Sequence, residues 1–231
     1  MDVGLYIAAQ GMLAEQVRQD QLANDLANSS TPGYKPDRST QRSFGDLLLS
    51  NQSTGQMIGP LSTGVTINQI VTDTTPVGLH QTGQPLDFAI AGDGYFAVRT
   101  PAGVRYTRDG QFSSNAQGLL VDAQGNPVLS QSGATITVGA KGTVPASALG
   151  VYNVTGVTKQ GYNYFTGTAA GKATGTVKQG ELEQSGVDPI QTMVDMMGSL
   201  RAYEAGQKTI QTIDETLQKA STEVGTLGGS A

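Results

Sequence analysis

The chain has 231 residues, room for one large domain or two small ones, and 14 Lys and Arg against 19 Asp and Glu leave a net charge of −5. Cysteine is absent and His80 is the single histidine, which excludes disulfides, thiolate metal sites, cysteine nucleophiles and most catalytic triads. The acidic balance offers no field to phosphate backbones, so nucleic acid is excluded as a partner, and no run reaches the roughly 18 apolar residues of a membrane span. Met1 to Gln10 carries Asp2 and no Lys or Arg, so no cleavable secretory signal is expected.

Val3 to Asn28 holds no proline and is rich in Ala, Leu and Gln, which predicts a helix that Asp2 could cap. Leu5, Met12 and Leu26 share a seven-residue spacing with Gln19, while Ala9, Gln16 and Ala23 lie four residues on. This narrow, partly polar stripe suits contact between molecules better than a private core. Ser29-Ser30-Thr31-Pro32-Gly33 stops the helix. Arg38 to Asp73 is polar, rich in Thr, Ser and Gly, and reads as an extended connector with an apolar patch at Leu47 to Leu49.

The middle of the chain lacks helical period. Leu86, Phe88 and Ile90 alternate, and Gly94, Gly103, Gly110, Gly118 and Gly125 set the rhythm of short antiparallel strands. Asp93-Gly94 and Asp109-Gly110 are the strongest hairpin signals. A second helix is predicted from Asp188, with Pro189 at its first position, to about Val224. Met196, Tyr203, Ile210, Leu217 and Val224 recur at seven-residue steps beside Met193 and Leu200. The expected fold is α+β: long terminal helices forming a coiled-coil-like pair around an antiparallel all-β middle. The expected division is 1–37, a connector at 38–72, a β domain at 73–183, and 184–231.

No enzyme constellation emerges. Gly92-Asp93-Gly94-Tyr95-Phe96-Ala97 matches G-x-G-x-x-A, but strand-like residues follow where a dinucleotide site needs a helix. Asp87, Asp93, Asp109 and Asp122 lack calcium-loop spacing. No G-x-S-x-G elbow occurs. Neither a catalytic residue nor a cofactor or metal site is expected.

Three ordered motifs carry a resemblance. Asn24, Asp25 and Asn28 lie in Ala23-Asn24-Asp25-Leu26-Ala27-Asn28, followed by Thr31-Pro32-Gly33-Tyr34-Lys35. This resembles the N-terminal signature of the bacterial flagellar rod and hook family, with Asp25 replacing the usual second asparagine. The middle block from Leu86-Asp87 through Gly92 and Gly94, continued by Arg108 and Gly110 in Tyr106-Thr107-Arg108-Asp109-Gly110, is similar to the family's β block. Arg201-Ala202-Tyr203-Glu204 resembles its closing helix motif.

Hook subunits carry a further outer domain for which the chain has no room, so the resemblance implies a rod protein, of the distal more than the proximal type. It also implies export through the flagellar type III apparatus and polymerisation into a hollow helical tube that crosses the envelope and transmits torque. The terminal helices would line the tube, with Leu5, Met12, Leu26 and the C-terminal seam as assembly contacts. The implied partners are further copies, other rod subunits, hook or hook-adjacent proteins, the export apparatus and, where an outer membrane exists, a surrounding ring. The competing reading is an extracellular binding module or adhesin whose helices serve as a stalk.

Overall fold

A computed structural model describes residues 3–43, 46–50, 57–62, 64–139, 142–161 and 163–227. They form two compact units, one built from residues up to Leu26, 37–71 and 189 onward, the other from 27–36 and 72–188. The chain is α+β, as the sequence predicts. Asp2, the expected cap, lies outside the described residues.

In the first unit, α1 spans Val3–Ala27 and α2 spans Pro189–Leu227. Ser199 Oγ donates to Glu15 Oε2 at 2.6 Å, a Cβ at Gly206 would meet Met12, and one at Gly4 would meet Ile213. These contacts run in opposite order along the two helices, which are therefore antiparallel. The covered stripe of α2 comprises Thr192, Met196, Ser199, Tyr203, Gly206, Ile210 and Ile213, at alternating steps of four and three. Small residues on alternate rungs let the helices approach.

The stretch read as an extended connector is instead strand-paired. β1 (Asp37–Ser43) pairs with β4 (Val65–Thr72), and between them in sequence β2 (Asp46–Ser50) pairs antiparallel with β3 (Met57–Ser62). Ile70 and Val71 of β4 are both exposed. No single buried face imposes a readable alternation, although β-branched residues favour the strand.

The second unit is the β-rich middle. Its strands are β5 (Leu79–Gln81), β6 (Phe88–Ala91), β7 (Tyr95–Thr100), β8 (Gly103–Thr107), β9 (Ser113–Ser114) and β10 (Leu120–Val121). They are followed by β11 (Val151–Gln160), β12 (Tyr164–Lys172), β13 (Thr176–Gln179) and β14 (Glu181–Glu183). β11, β12, β8 and β7 close a small barrel, while β13 pairs with β6, β14 with β5 and β10 with β9. The G-x-G-x-x-A stretch runs into β7, not a helix. Phe88, Ile90, Phe96, Phe112, Leu120, Val128 and Val144 anchor one apolar cluster, and Tyr95, Tyr106 and Phe165 anchor a second.

The two Asp-Gly turns are corners, not hairpins. Asp93-Gly94 joins β6 to β7, which lie in different sheets, and Asp109-Gly110 joins β8 to β9, which do also. The hairpin between β7 and β8 is closed by Pro101-Ala102, with Thr100 opposite Gly103. The local chemistry of a turn does not specify which strands it connects.

At the second corner a Cβ on Gly110 would sit 1.6 Å from the Phe88 carbonyl oxygen. Gly110→Ala is expected to cost at least about 3 kcal/mol, because backbone on both sides must move. Gly11→Ala, on open helix surface with nothing within 4 Å, is expected to gain about 0.5 to 1 kcal/mol. Urea unfolding of the two variants checks both signs.

Candidate functional site

Two motif residues that lie 73 positions apart in the sequence, Lys35 and Arg108, converge within the β unit. Lys35, at the end of the Thr31 to Lys35 motif, and Arg108, beside the Asp109-Gly110 corner, are both fully buried. Each meets the carboxylate of Glu183 on β14: Lys35 Nζ lies 2.5 Å from Oε1 and Arg108 Nη1 lies 3.1 Å from Oε2. Lys35 also donates to the Thr75 carbonyl at 2.7 Å, and the Val77 amide donates to Glu183 Oε1 at 3.1 Å. Arg108 stands 5.2 Å over the Tyr95 ring, and its Nε is buried without a hydrogen-bond partner among the described residues.

Two cations contact one carboxylate directly in this cluster, and Asp73 adds a further negative charge that acts on Lys35 from farther off. Burial pushes the Lys35 ammonium below its ordinary value, and the hydrogen bond and attraction to Glu183 offset only part of that. Glu183 is therefore the group on which both cations depend. Losing it leaves two buried charges uncompensated, whereas losing Lys35 leaves Arg108 and Glu183 balanced.

The same motif is held along its backbone. The Gly33 amide donates to the Glu183 carbonyl and the Gly186 amide to the Tyr34 carbonyl, both at 2.9 Å. Asn163 Nδ2 donates to the Pro32 carbonyl at 3.0 Å. Lys159 Nζ donates to the Lys35 carbonyl at 2.8 Å and sits 3.9 Å over the buried Tyr34 ring. Gly33 has φ 64°, and a Cβ there would lie 2.4 Å from the Arg108 carbonyl, so position 33 tolerates only glycine. Thr31 and Asn28 form a local turn, with Thr31 Oγ1 donating to Asn28 Oδ1 at 3.2 Å and Ser185 Oγ to the Asn28 carbonyl at 3.0 Å.

Other motif residues lie apart from the cluster. Asp87 is buried and accepts from Thr82 Oγ1 at 2.6 Å. Gly92 and Gly94 form the first corner, where a Cβ on Gly94 would strike Val151 and Ala173. In the helical unit, Asn24, Arg201 and Glu204 are exposed. Among the predicted contact residues Leu5, Met193, Leu200 and Leu217 are exposed, while Met12, Leu26, Met196, Tyr203 and Ile210 are half-buried within the single chain. The side chain of Val224 lies outside the described residues.

Glu183, Lys159 and Asn163 escape the sequence reading. Glu183 alternates with Glu181 about Leu182, and nothing local separates the buried carboxylate from the half-buried one. Its partner Lys35 is 148 residues away. A lysine beside Tyr34 in an otherwise uncharged motif was the available signal that a distant carboxylate was needed.

Three family models match the chain in order: flagella basal body rod protein over residues 5–35, the flagellar hook protein FlgE/F/G D1 domain over 89–158, and the flagellar basal body rod FlgEFG protein C-terminal region over 178–223. These define a structural subunit of the flagellar axis. Flagellar basal-body rod protein FlgF of Rhizobium meliloti is 31% identical, with all of both chains covered. Flagellar basal-body rod protein FlgG of Bacillus subtilis is 31% identical over 93% of this chain and 96% of its own. The flagellar hook-basal body complex protein FlhO of the same species is 30% identical over 96% and 98%. The chain belongs to the flagellar basal-body rod protein family, whose members are structural proteins and not enzymes.

Glu183→Gln is expected to destabilise the β unit by about 3 to 5 kcal/mol, and Lys35→Met by clearly less, since it leaves one balanced pair. Urea unfolding gives both values, and equal losses would refute the dependence of two cations on one carboxylate. A pH effect arises nearby at Asp109, whose carboxyl burial pushes up from 3.8 to about 6. The Gln111 amide, donating to Oδ1 at 3.0 Å, opposes that rise, and Asp122 and Asp87 add to it. A folded value above the unfolded one makes stability greatest below about pH 4 and lower by about 3 kcal/mol above pH 6 or so. Asp109→Asn keeps the acceptor for Gln111, so its stability should exceed the parent's at pH 8 and match it at pH 4, as followed by unfolding at the two pH values.

Proposed function

We propose that the chain is a rod subunit that polymerises through its terminal helices into a hollow helical tube. In this reading residues 1–37 and 184–231 form the inner layer as a coiled-coil-like pair, 73–183 forms the outer domain, and 38–72 links them. The observation that supports it is the apolar surface left open on the helices. Ile190 is 77% exposed, and Met193, Val194, Met197, Leu200 and Leu217 on α2 are each about half exposed, as is Tyr6 on α1, with Leu13 and Val17. On α2 the residues from 190 to 200 recur at steps of three and four, a continuous stripe on one face. Apolar stripes of this extent mark contact surfaces.

Two stripes on one chain fit a heterologous assembly, in which unlike surfaces join and the rotation does not close, so that a filament grows. Torque would pass between subunits through contacts repeated along the tube, and exported chains would pass along its bore. Further copies, other rod subunits, hook or hook-adjacent proteins, the type III export apparatus and a surrounding ring are the partners this position requires. The basal body, across the periplasmic space, is its location, reached through the export apparatus. The Arg201-Ala202-Tyr203-Glu204 motif supports the distal part of the rod.

Leu217→Asp should leave the unfolding free energy of the monomer within about 0.5 kcal/mol of the parent, because the side chain is exposed there. It should abolish sedimentable polymer and motility. Ile210→Asp, on the half-buried stripe, should lower monomer stability as well. Normal assembly and swimming with Leu217→Asp would refute the helix-mediated reading.

A further inference from the structure

Cysteine and tryptophan are both absent, so the six methionines carry the groups most readily oxidised by peroxide, and three of them fall within five residues of α2. The turn of the helix separates these three. Met193 and Met197, four residues apart, are 50% and 52% exposed on the outward stripe with Ile190 and Leu200. Met196 is half-buried on the stripe that α2 turns toward α1, between the buried Thr192 and Ser199. Met12 is half-buried too, and its Cγ would lie 2.7 Å from a Cβ on Gly206, so that methionine packs against α2. Two thioethers therefore face solvent side by side, and two are shielded by the helix pair.

We propose that Met193 and Met197 form a paired oxidation site for hydroperoxides, and that oxidation there closes the α2 stripe to assembly. In each step the sulfur lone pair attacks one peroxide oxygen. An S–O bond forms as the O–O bond breaks, the leaving hydroxide takes the proton of the transferred oxygen, and the products are a sulfoxide and water. Sulfur is oxidised by two electrons and the peroxide reduced by two. The sulfoxide is a polar acceptor where the stripe was apolar. In the separate chain it stands in water, so the fold keeps its stability. In a contact surface it must give up that water, and the side chains of Ile190, Val194 and Leu200 offer no donor in exchange, a cost that opposes joining. Reduction returns the thioether, and in a chain without cysteine a thiol reductant has no other target. The effect on joining rests on the helix-mediated reading above; the order of oxidation does not.

Hydrogen peroxide on the full-length chain tests it, with tandem mass spectrometry reading the added oxygen at each methionine and sedimentation reading polymer. Met193 and Met197 should reach half-oxidation at least about threefold sooner than Met196 and Met12. With both oxidised, the concentration at which polymer sediments should rise at least about tenfold, while the urea midpoint of the monomer is unchanged. The two methionine sulfoxide reductases with a thiol reductant should restore assembly. Met193→Leu/Met197→Leu keeps the apolar stripe and should assemble after the same exposure as it does before. Polymer indifferent to sulfoxide at both positions would overturn the proposal, as would Met196 reacting first or an equal loss in the leucine variant. Absence of polymer from the untreated parent would refute the helix-mediated reading instead, and retention of the folded chain on a phenyl column would then judge the inference. Peroxide should shorten that retention for the parent and not for the leucine variant, and no difference between them would overturn it.

Discussion

A single carboxylate holds the most distant parts of the β unit together. Glu183 meets a lysine 148 residues before it and an arginine 75 residues before it, in surroundings where neither cation could remain charged at acceptable cost without it. Such a cluster contributes little net stability over an apolar core of the same volume, yet it discriminates strongly. A Thr31 to Lys35 segment without its lysine, or a β14 without its carboxylate, leaves a buried charge or a wasted hydrogen bond. The specificity of the fold is concentrated here, while the bulk of the stabilisation comes from Phe88, Phe96, Phe165 and their apolar neighbours.

The position of the cluster along the chain bears on assembly. Lys35 follows α1 by eight residues and Glu183 precedes α2 by six. In the sequence, the helices that carry the exposed apolar stripes are thus the elements next to Lys35 and Glu183. Within the helical unit, the stripe that α2 turns inward carries Met196, Tyr203, Ile210 and Ile213 but is thinned by Thr192, Ser199 and Gly206, while Ile190, Met193, Met197 and Leu200 face outward. Apolar side chains left outside in this number mark a contact surface.

The motifs shared with the flagellar rod family also acquire separate physical reasons. Gly33 is glycine because its φ is positive and Arg108 backbone lies against it; Gly110 is glycine because Phe88 backbone does. Lys35 and Arg108 are cations because they share Glu183. Arg201 and Glu204, by contrast, are exposed on α2, so burial within the chain gives no reason for them.

The amino-acid order alone determined both long helices, their boundaries near Ala27 and Pro189, the β character of the middle and the family, because these depend on short-range periodicity, caps and contiguous motifs. It also marked Met196, Tyr203 and Ile210 as one stripe. It did not reveal that Met193 and Leu200 face out while Thr192, Ser199 and Gly206 face in, since small polar residues on a seam carry no hydropathic signal. The paired strands between 37 and 72 were hidden for the same reason, having exposed Ile70 and Val71 in place of a buried face. Only the tertiary structure made corners of the Asp-Gly turns, because pairing partners such as β6 with β13 lie some 90 residues apart. The choice of Glu183 over Glu181 likewise belongs to the folded chain. Burial is decided by what packs around a residue, and the lysine and arginine that pack there come from far away in the sequence.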